Sequence, residues 1–165
     1  MPLDPRTRIG HVHLTVSDLE RALSFYRDVL GFEPTARYGK DAVFLSAGGY
    51  HHHIGLNTWA GRGAPPPPAG TTGLYHFAIL HPDRASLARA VRRVLEHGQA
   101  LEGASDHGVS EAVYLRDPDG NGVELYCDRP AEEWPRASDG SLLMYTRPLD
   151  LEELLKEASA PPQPV

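Results

Sequence analysis

Hydrophobic and polar residues alternate in two short segments of the chain, one in each half. In the first segment Val12, Leu14 and Val16 fall on one side, and in the second Phe77 and Ile79 do so. Alternation with a period of two is typical of a strand with one buried face, because successive side chains point to opposite sides of a sheet. We therefore predict a strand near residue 12 and another near residue 77.

Each predicted strand is followed by apolar residues at helical spacing. Asp18 and Asp83 stand where the helices would begin, and their carboxylates can accept hydrogen bonds from free N–H groups of the first turn. Gly31 and Gly98 fit the ends of the two helices. We predict two amphipathic helices. Their apolar positions are Leu19, Ala22, Leu23, Tyr26, Val29 and Leu30 in the first, and Leu87, Ala90, Val91, Val94 and Leu95 in the second.

The two halves form an internal repeat. A shift of 65 residues (76 − 11 = 65; 83 − 18 = 65) places His11 on His76 and Asp18 on Asp83. A repeat of this kind decides the architecture, because each copy is one supersecondary unit. The sequence predicts an α+β fold of two tandem βαβββ modules. The further strands are expected at 33–38, 41–46 and 52–58 in the first half, and at 99–102, 111–116 and 122–127 in the second.

The regions between and after the repeats differ in composition. Four consecutive prolines, residues 65–68, lack N–H donors and favour polyproline II, so we expect a stiff, exposed connector. The C-terminal tail could pack on the body or on a second subunit, and the sequence leaves this open. The predicted organisation is a first module 9–60, a Gly/Pro-rich linker 61–72, a second module 73–130, and a C-terminal extension 131–165 with a short helix at 149–158 and a frayed end at 161–164.

Charge and composition limit the classes of partner. The net charge is −6 without a basic stripe, so a nucleic-acid partner is not expected. No apolar run approaches the ~20 residues that cross a bilayer, and the first residues lack the apolar core of a signal peptide. The single cysteine, Cys127, fits a reducing compartment. We expect a cytoplasmic protein without a membrane partner.

Two histidines and a glutamate occupy the polar sides of the predicted strands. His11 and His76 are repeat equivalents that point away from the apolar face, and Glu124 does so in the last strand. Two imidazoles and one carboxylate match the ligand set that holds Fe(II) and leaves neighbouring coordination positions open. We predict a metal site of His11, His76 and Glu124. His13 is a competitor on the same strand face, but the repeat symmetry favours His11.

Three segments resemble a known superfamily. They are G-H-V-H-L-T-V-S-D-L-E-R-A-L-S-F-Y-R-D-V-L-G-F, L-Y-H-F-A-I-L and D-P-D-G-N-G-V-E-L-Y, and the resemblance covers about residues 9–130. They are similar to the vicinal-oxygen-chelate superfamily, which includes glyoxalase I, bleomycin-resistance proteins and extradiol dioxygenases. This resemblance implies that βαβββ modules form a vicinal-oxygen-chelate cleft around a metal. The sequence leaves open whether the cleft forms within one chain or by exchange of modules between two chains.

Two further segments are similar to the catechol 2,3-dioxygenase type of extradiol enzyme. G-G-Y-H-H-H-I-G-L-N-T-W matches the strand of a catalytic histidine at His52, which shares strand parity with Ile54. D-H-G-V-S-E-A-V-Y-L-R-D-P-D-G matches a catalytic histidine at His107 and a tyrosine at Tyr114. Tyr114 stands ten residues before Glu124 (124 − 114 = 10), as the family pattern requires, but His107 aligns only with a two-residue deletion.

The same resemblance implies a reaction and its components. The expected enzyme is an Fe(II)-dependent extradiol dioxygenase, with Mn(II) as another candidate metal, that cleaves a small catechol-type aromatic with O2. A homodimer or higher homo-oligomer is expected. Many extradiol enzymes have four modules whereas this chain has two. The sequence therefore does not define which residues form the substrate pocket or how the modules assemble.

Two other functions remain open on the same fold. A glyoxalase-like lyase or isomerase would use Ni(II) or Zn(II), and such sites usually take a carboxylate from the last strand of the first module. Residues 51–58 contain no Asp or Glu, which disfavours this alternative. A metal-free small-molecule binding protein of the bleomycin-resistance type is the other alternative, although such binders generally lack the ligand triad.

Overall fold

The computed structural model describes residues 1–159, and they form two compact units. Unit 1 is Met1–Pro68 and unit 2 begins at Ala69, so the division falls inside the predicted linker 61–72. The predicted frayed end, 161–164, lies outside the described residues. In the part of the chain that is described, no helix has the length and apolar character that crossing a membrane requires.

Unit 1 contains one four-stranded sheet, in the order β1-β4-β3-β2. β1 runs parallel to β4, and the other neighbours are antiparallel. The strand predicted at 52–58 is shorter than expected, because the backbone is irregular up to His53 and β4 starts only at Ile54. The strands are β1 Val12–Thr15, β2 Glu33–Tyr38, β3 Ala42–Ser46 and β4 Ile54–Asn57.

The helix of unit 1 changes type along its length. Asp18 caps it as predicted, accepting a hydrogen bond of 2.8 Å from the Arg21 N–H. The α-helix α1 covers only Leu19–Leu23, and a π-helical segment follows at Ser24–Val29. The predicted helix is therefore present, but in its second half the wider i to i+5 pattern replaces the usual α-helical hydrogen bonds.

Unit 2 contains a five-stranded sheet, in the order β5-β8-β7-β6-β9. The strand predicted at 99–102 starts later and extends further, because the helix closes through Gly98, at φ +69°, and Gln99 still donates to the Val94 carbonyl. The elements are β5 Phe77–Leu80, α2 Arg84–Glu96, β6 Leu101–Asp106, β7 Ser110–Arg116, β8 Gly122–Asp128 and β9 Arg147–Pro148.

The C-terminal extension is built into unit 2. The sequence pattern did not predict β9, which pairs antiparallel with β6. The helix α3, Leu151–Lys156, packs on α2 and buries Leu154 completely, and a 3-10 turn follows at Glu157–Ser159. Arg92 of α2 donates to the Leu155 carbonyl at 2.6 Å. Within the described residues, this segment packs on its own unit.

Strand register sorts the side chains of each sheet onto two faces. In unit 1, Leu14, Leu56 and Val43 lie in register on the face that packs against the helix. In unit 2, Leu125 and Val113 hold the equivalent position. The opposite faces carry the polar and aromatic side chains discussed below. The predicted α+β fold of two βαβββ modules with a short C-terminal helix is confirmed.

Candidate active site

His76 and Glu124 meet on the polar face of the sheet in unit 2. The Nε2 atom of His76 lies 2.9 Å from Oε2 of Glu124, and the glutamate residue is 9% exposed. Gly122 makes this approach feasible, because a Cβ there would lie 2.3 Å from the Tyr75 carbonyl oxygen and 2.9 Å from Cβ of His76. The chain before β5 therefore presses directly on the backbone of β8, and it carries the imidazole to the carboxylate.

The spacing of these two side chains suits a metal ion. Two ligand atoms bonded at about 2.1 Å and at a right angle to each other would be about 3.0 Å apart. The pair of one imidazole nitrogen and one carboxylate oxygen is a donor set that divalent transition metals accept. The other nitrogen, Nδ1 of His76, is buried without a hydrogen-bond partner among residues 1–159. The spacing and the donor atoms of His76 and Glu124 are compatible with a role as ligands, which stays a prediction.

The complete ligand set remains a prediction. Within the described part of the chain, no three histidine, cysteine or acidic side chains form a ready metal-binding group. The third predicted ligand, His11, belongs to unit 1, whereas His76 and Glu124 belong to unit 2.

Tyr114 lies next to the candidate ligand Glu124. The two residues are direct cross-strand partners on β7 and β8, and the Tyr114 hydroxyl donates to Oε1 of Glu124 at 3.0 Å. Burial, followed by the negative charge of Glu124, raises the pKa of Tyr114. The phenol therefore keeps its proton at neutral pH and acts as a hydrogen-bond donor to the carboxylate.

His107 extends this arrangement by one more side chain. Its Nε2 atom lies 2.7 Å from the Tyr114 hydroxyl, and its Nδ1 atom lies 2.9 Å from the main-chain carbonyl oxygen of Tyr145. A carbonyl oxygen can only accept, so Nδ1 of His107 carries a proton. Sequence reasoning missed Tyr145, because the atom that contacts His107 is a main-chain carbonyl oxygen, which no residue pattern marks.

The line from His76 through Glu124 and Tyr114 to His107 constrains where protons reside. Tyr114 has a single hydroxyl proton, and in the contact with Glu124 it donates that proton. The contact with His107 is then satisfied only if Nε2 donates as well, which makes the imidazole doubly protonated. When His107 is neutral, the Tyr114 proton has to be shared between the imidazole and the carboxylate. The single hydroxyl of Tyr114 therefore links His107 to Glu124.

His52 lies in a group of histidines in unit 1. Its ring centroid is 4.4 Å from that of His11, and its Nδ1 atom is 2.6 Å from Nδ1 of His51. Partial burial, followed by the positive charge that His11 and other nearby histidines can carry, lowers the pKa of His52. The imidazole is therefore largely neutral at pH 7, a state in which it can accept a proton.

The predicted strand parity of His52 is wrong. Its ring packs on Phe44 at 5.0 Å, and Phe44 lies on the face opposite the buried Ile54. The reason is that His52 precedes β4, where the backbone is irregular, so the alternation of the strand does not extend to it. The side chain nevertheless contacts the predicted ligand His11.

His13, the competitor of His11, is held by packing. Its ring lies over Gly55, where a Cβ would be 2.9 Å from the imidazole carbons. Phe44 and Trp59 flank it, with ring centroids 5.8 Å and 5.4 Å away. Burial, followed by the neighbouring His11, lowers the pKa of His13. His13 is thus one member of an aromatic surface on the polar face of the first sheet.

The sequence of this chain is similar to those of several known proteins. A family model described as the Glyoxalase/Bleomycin resistance protein/Dioxygenase superfamily matches residues 8–125. The chain is 46% identical over 152 residues to a catechol-2,3-dioxygenase of Bacillus subtilis (strain 168), which covers 92% of this chain and 52% of that protein. It is 34% identical over 122 residues to biphenyl-2,3-diol 1,2-dioxygenase 3 of Rhodococcus globerulus, covering 73% of this chain and 63% of that protein.

A solved structure supports the same fold. The structure of a glyoxalase/dioxygenase from Nostoc punctiforme superimposes with a TM-score of 0.64 at 22% identity, covering 79% of this chain and 98% of that one. At this identity the likeness concerns the fold alone. The chain spans about half to two thirds of the length of the two dioxygenases named above.

Proposed function

The chain belongs to the glyoxalase/bleomycin resistance protein/dioxygenase superfamily, and we propose that it is a metal-dependent extradiol dioxygenase that cleaves the ring of a catechol-type aromatic with O2. The observation that carries this proposal is the line His76–Glu124–Tyr114–His107, in which His76 lies 2.9 Å from Glu124 and hydrogen bonds join Glu124, Tyr114 and His107. It joins two candidate metal ligands to two groups that can donate or accept protons. The similarity to a catechol-2,3-dioxygenase supports the same reaction class.

The proposed metal ligands are His11, His76 and Glu124, and the proposed ion is Fe(II), with Mn(II) as the other candidate. When bound, the metal would supply a template and a path for electrons between the aromatic substrate and O2. Glu124 would offer Oε2 to the ion, since this atom faces His76 while Oε1 accepts the hydrogen bond from Tyr114. A supporting hydrogen bond of this kind orients a ligand and tunes its basicity.

The remaining residues would handle protons and orient the substrate. His52 is suited to accept a proton from a catechol hydroxyl, because its lowered pKa leaves it largely neutral at pH 7. Tyr114 would donate a hydrogen bond to a substrate oxygen or to Glu124. His107 would hold a proton at Nε2 and exchange it with the Tyr114 hydroxyl, which is 2.7 Å away.

Oxygen uptake tests this proposal directly. The protein is purified without oxygen, loaded separately with Fe(II), Mn(II) or Zn(II), and mixed with a panel of catechols. We expect one O2 consumed for each catechol and a yellow ring-opened product with iron or manganese but not with zinc. Glu124→Gln serves as the control, because it removes the carboxylate while retaining nearly the same shape.

Two outcomes would replace the proposal. Isomerisation of a hemithioacetal with Ni(II) or Zn(II), without oxygen uptake, would indicate the lyase alternative. β4, Ile54–Asn57, offers no carboxylate for such a site. Binding of a flat aromatic drug by a protein that takes up no divalent metal would indicate a binding protein instead.

A further inference from the structure

Tyr145 and His107 are joined by their main chains as well as by the imidazole. The Nδ1–H group of His107 donates to the Tyr145 carbonyl at 2.9 Å, and the Tyr145 N–H donates to the His107 carbonyl at 3.3 Å. The hydrogen bond made by one ring nitrogen of a histidine fixes the role of the other. The Tyr145 carbonyl therefore places the proton of a neutral His107 on Nδ1 and leaves Nε2 to face Tyr114.

The ring of Tyr145 is wedged against the turn that carries His107. A Cβ on Gly108 would lie 2.7 Å from Cε1 of this ring, and Gly108 adopts φ +77°. The Tyr145 ring also makes a cation–π contact with the Arg147 guanidinium, whose central carbon is 4.2 Å from the ring centroid. The position of the Tyr145 main chain is thus set by the packing of its own side chain.

The segment that follows Tyr145 is anchored at several points of unit 2. Arg147 and Pro148 form β9, which pairs with Asp106 and Ser105 at the end of β6. Further along, Arg84 at the start of α2 makes ion pairs with Glu153 and Glu157. Burial of Leu154 adds an apolar anchor. These anchors are distributed along the segment that begins at Tyr145 and ends at residue 159.

We propose that residues 145–159, which we name the strap, are a positioning element of the active site. The strap holds the Tyr145 carbonyl against Nδ1 of His107 and thereby directs Nε2 toward the Tyr114 hydroxyl. This inference rests on the proposed function, because it assigns the strap to the site that contains His107. Tyr145 touches neither substrate nor metal in this assignment, and it acts through His107 alone.

The test reads the protonation of His107 directly. Multiple-bond ¹H–¹⁵N correlation spectra of the histidine side chains are recorded at about pH 8, where imidazoles are ordinarily neutral. The full-length protein is used with Zn(II) as a diamagnetic ion. We expect the His107 signals of the unmodified protein to show a proton on Nδ1. In Tyr145→Ala the wedge is lost, and we expect the proton to redistribute to Nε2, whereas Tyr145→Phe keeps the ring and should preserve the original pattern.

A second variant covers the case in which Tyr145→Ala fails to fold. Replacing Glu153 and Glu157 together by alanine removes two anchors at the surface, and Glu152→Ala on the same helix is the matched control, since Glu152 is exposed. We expect the double variant to show the redistributed proton and the control to keep the original spectrum. With iron and catechol, kcat should fall about 10-fold in Tyr145→Ala while KM changes little, as for the loss of a supporting hydrogen bond.

The two proposals fail in distinguishable ways. A proton that stays on Nδ1 in both strap variants, or an Nδ1 that carries no proton in the unmodified protein, overturns the role of the strap whatever the activity. Unchanged kcat in a variant whose proton has moved also overturns it. A strap that behaves as expected in a protein that consumes no oxygen with any catechol overturns the dioxygenase proposal alone.

Discussion

The hydroxyl of Tyr114 donates to Oε1 of Glu124 at 3.0 Å across the β7–β8 pair, where the two residues stand directly opposite each other. The second carboxylate oxygen, Oε2, lies beside Nε2 of His76. Each oxygen of Glu124 therefore has its own neighbour, and the carboxylate is held in one orientation. A carboxylate fixed in this way would need little rearrangement to serve as the proposed metal ligand.

Removing the Tyr114 hydroxyl should abolish its orienting effect on Glu124 while leaving the packing of the Tyr114 ring unchanged. In Tyr114→Phe the ring keeps its half-buried position, but both Glu124 and His107 lose their partner. We expect metal affinity and kcat each to fall by about 10- to 100-fold, as is usual when a ligand loses its supporting hydrogen bond. The measurements are metal titration and oxygen uptake.

The control for this prediction is Tyr38→Phe, because Tyr38 is 71% exposed on β2 of unit 1. It should match the unmodified protein. Equal metal affinity in Tyr114→Phe and Tyr38→Phe would contradict the orienting role of Tyr114.

The absence of a side chain at Gly122 should be essential for the position of His76. In Gly122→Ala the new methyl group would meet the main-chain oxygen of Tyr75 at 2.3 Å, so backbone has to move. We expect a loss of at least about 3 kcal/mol of unfolding free energy, the upper range for overpacking, together with weakened metal binding. Gly103→Ala is the matched strand control, since a Cβ there has open space. Equal stability losses in the two variants would refute this account of Gly122.

His81 should make the protein less stable in mild acid. Burial lowers its pKa to about 4, and its Nε2 atom is buried without a partner among the described residues. Between pH 4 and about 6.5 the unfolded chain binds this proton and the folded chain does not, so the stabilising effect is lost as the pH falls through that range. From pH 7 to pH 5 the loss should be about 2 kcal/mol for this single group.

The variant His81→Leu isolates this contribution. Every other titrating group remains, so the difference between the two proteins in urea unfolding at pH 5 and pH 7 reports His81 alone. The pH dependence should be weaker in the variant by about the amount given above. Parallel curves for the two proteins would show that His81 titrates equally in both states.

Cys127 should be unreactive in the folded protein. It is 4% exposed, and burial, followed by the charge of Glu111, raises its pKa to about 11. Since the thiolate is the reactive form, a disulfide reagent at pH 8 should label the native protein far more slowly than the protein in denaturant. Rapid labelling of the native state would mean that the end of β8 opens readily.

The sequence could predict those parts of the site that depend on strand periodicity and on the repeat. The positions of His76 and Glu124 on one sheet face follow from the period of two, and the structure places them 2.9 Å apart. The resemblance selected Tyr114 by its spacing of ten residues from Glu124, and the structure pairs the two residues across regular strands. His52 shows the limit of this reasoning, since periodicity does not apply to the irregular backbone before β4.

The location of His107 explains why it aligned only with a deletion. It lies in the tight turn between β6 and β7, where its N–H donates to the Ser110 carbonyl at 2.9 Å and Gly108 takes φ +77°. Hairpin turns tolerate changes of length better than the strands they connect. Of the strap, the sequence predicted only the helix; β9 and the contact with His107 were missed, because β9 has two residues and Tyr145 acts through its main chain.

The separation of 38 residues between His107 and Tyr145 has a consequence for biosynthesis. Translation at about 5–20 residues per second would leave the imidazole without its carbonyl acceptor for about 2–8 seconds. During that interval the β6–β7 hairpin can form, but the ring of His107 is still free to choose either nitrogen for its proton. The imidazole of His107 can therefore take its fixed orientation only after Tyr145 has been synthesised, and the segment that reaches back from Tyr145 completes the site.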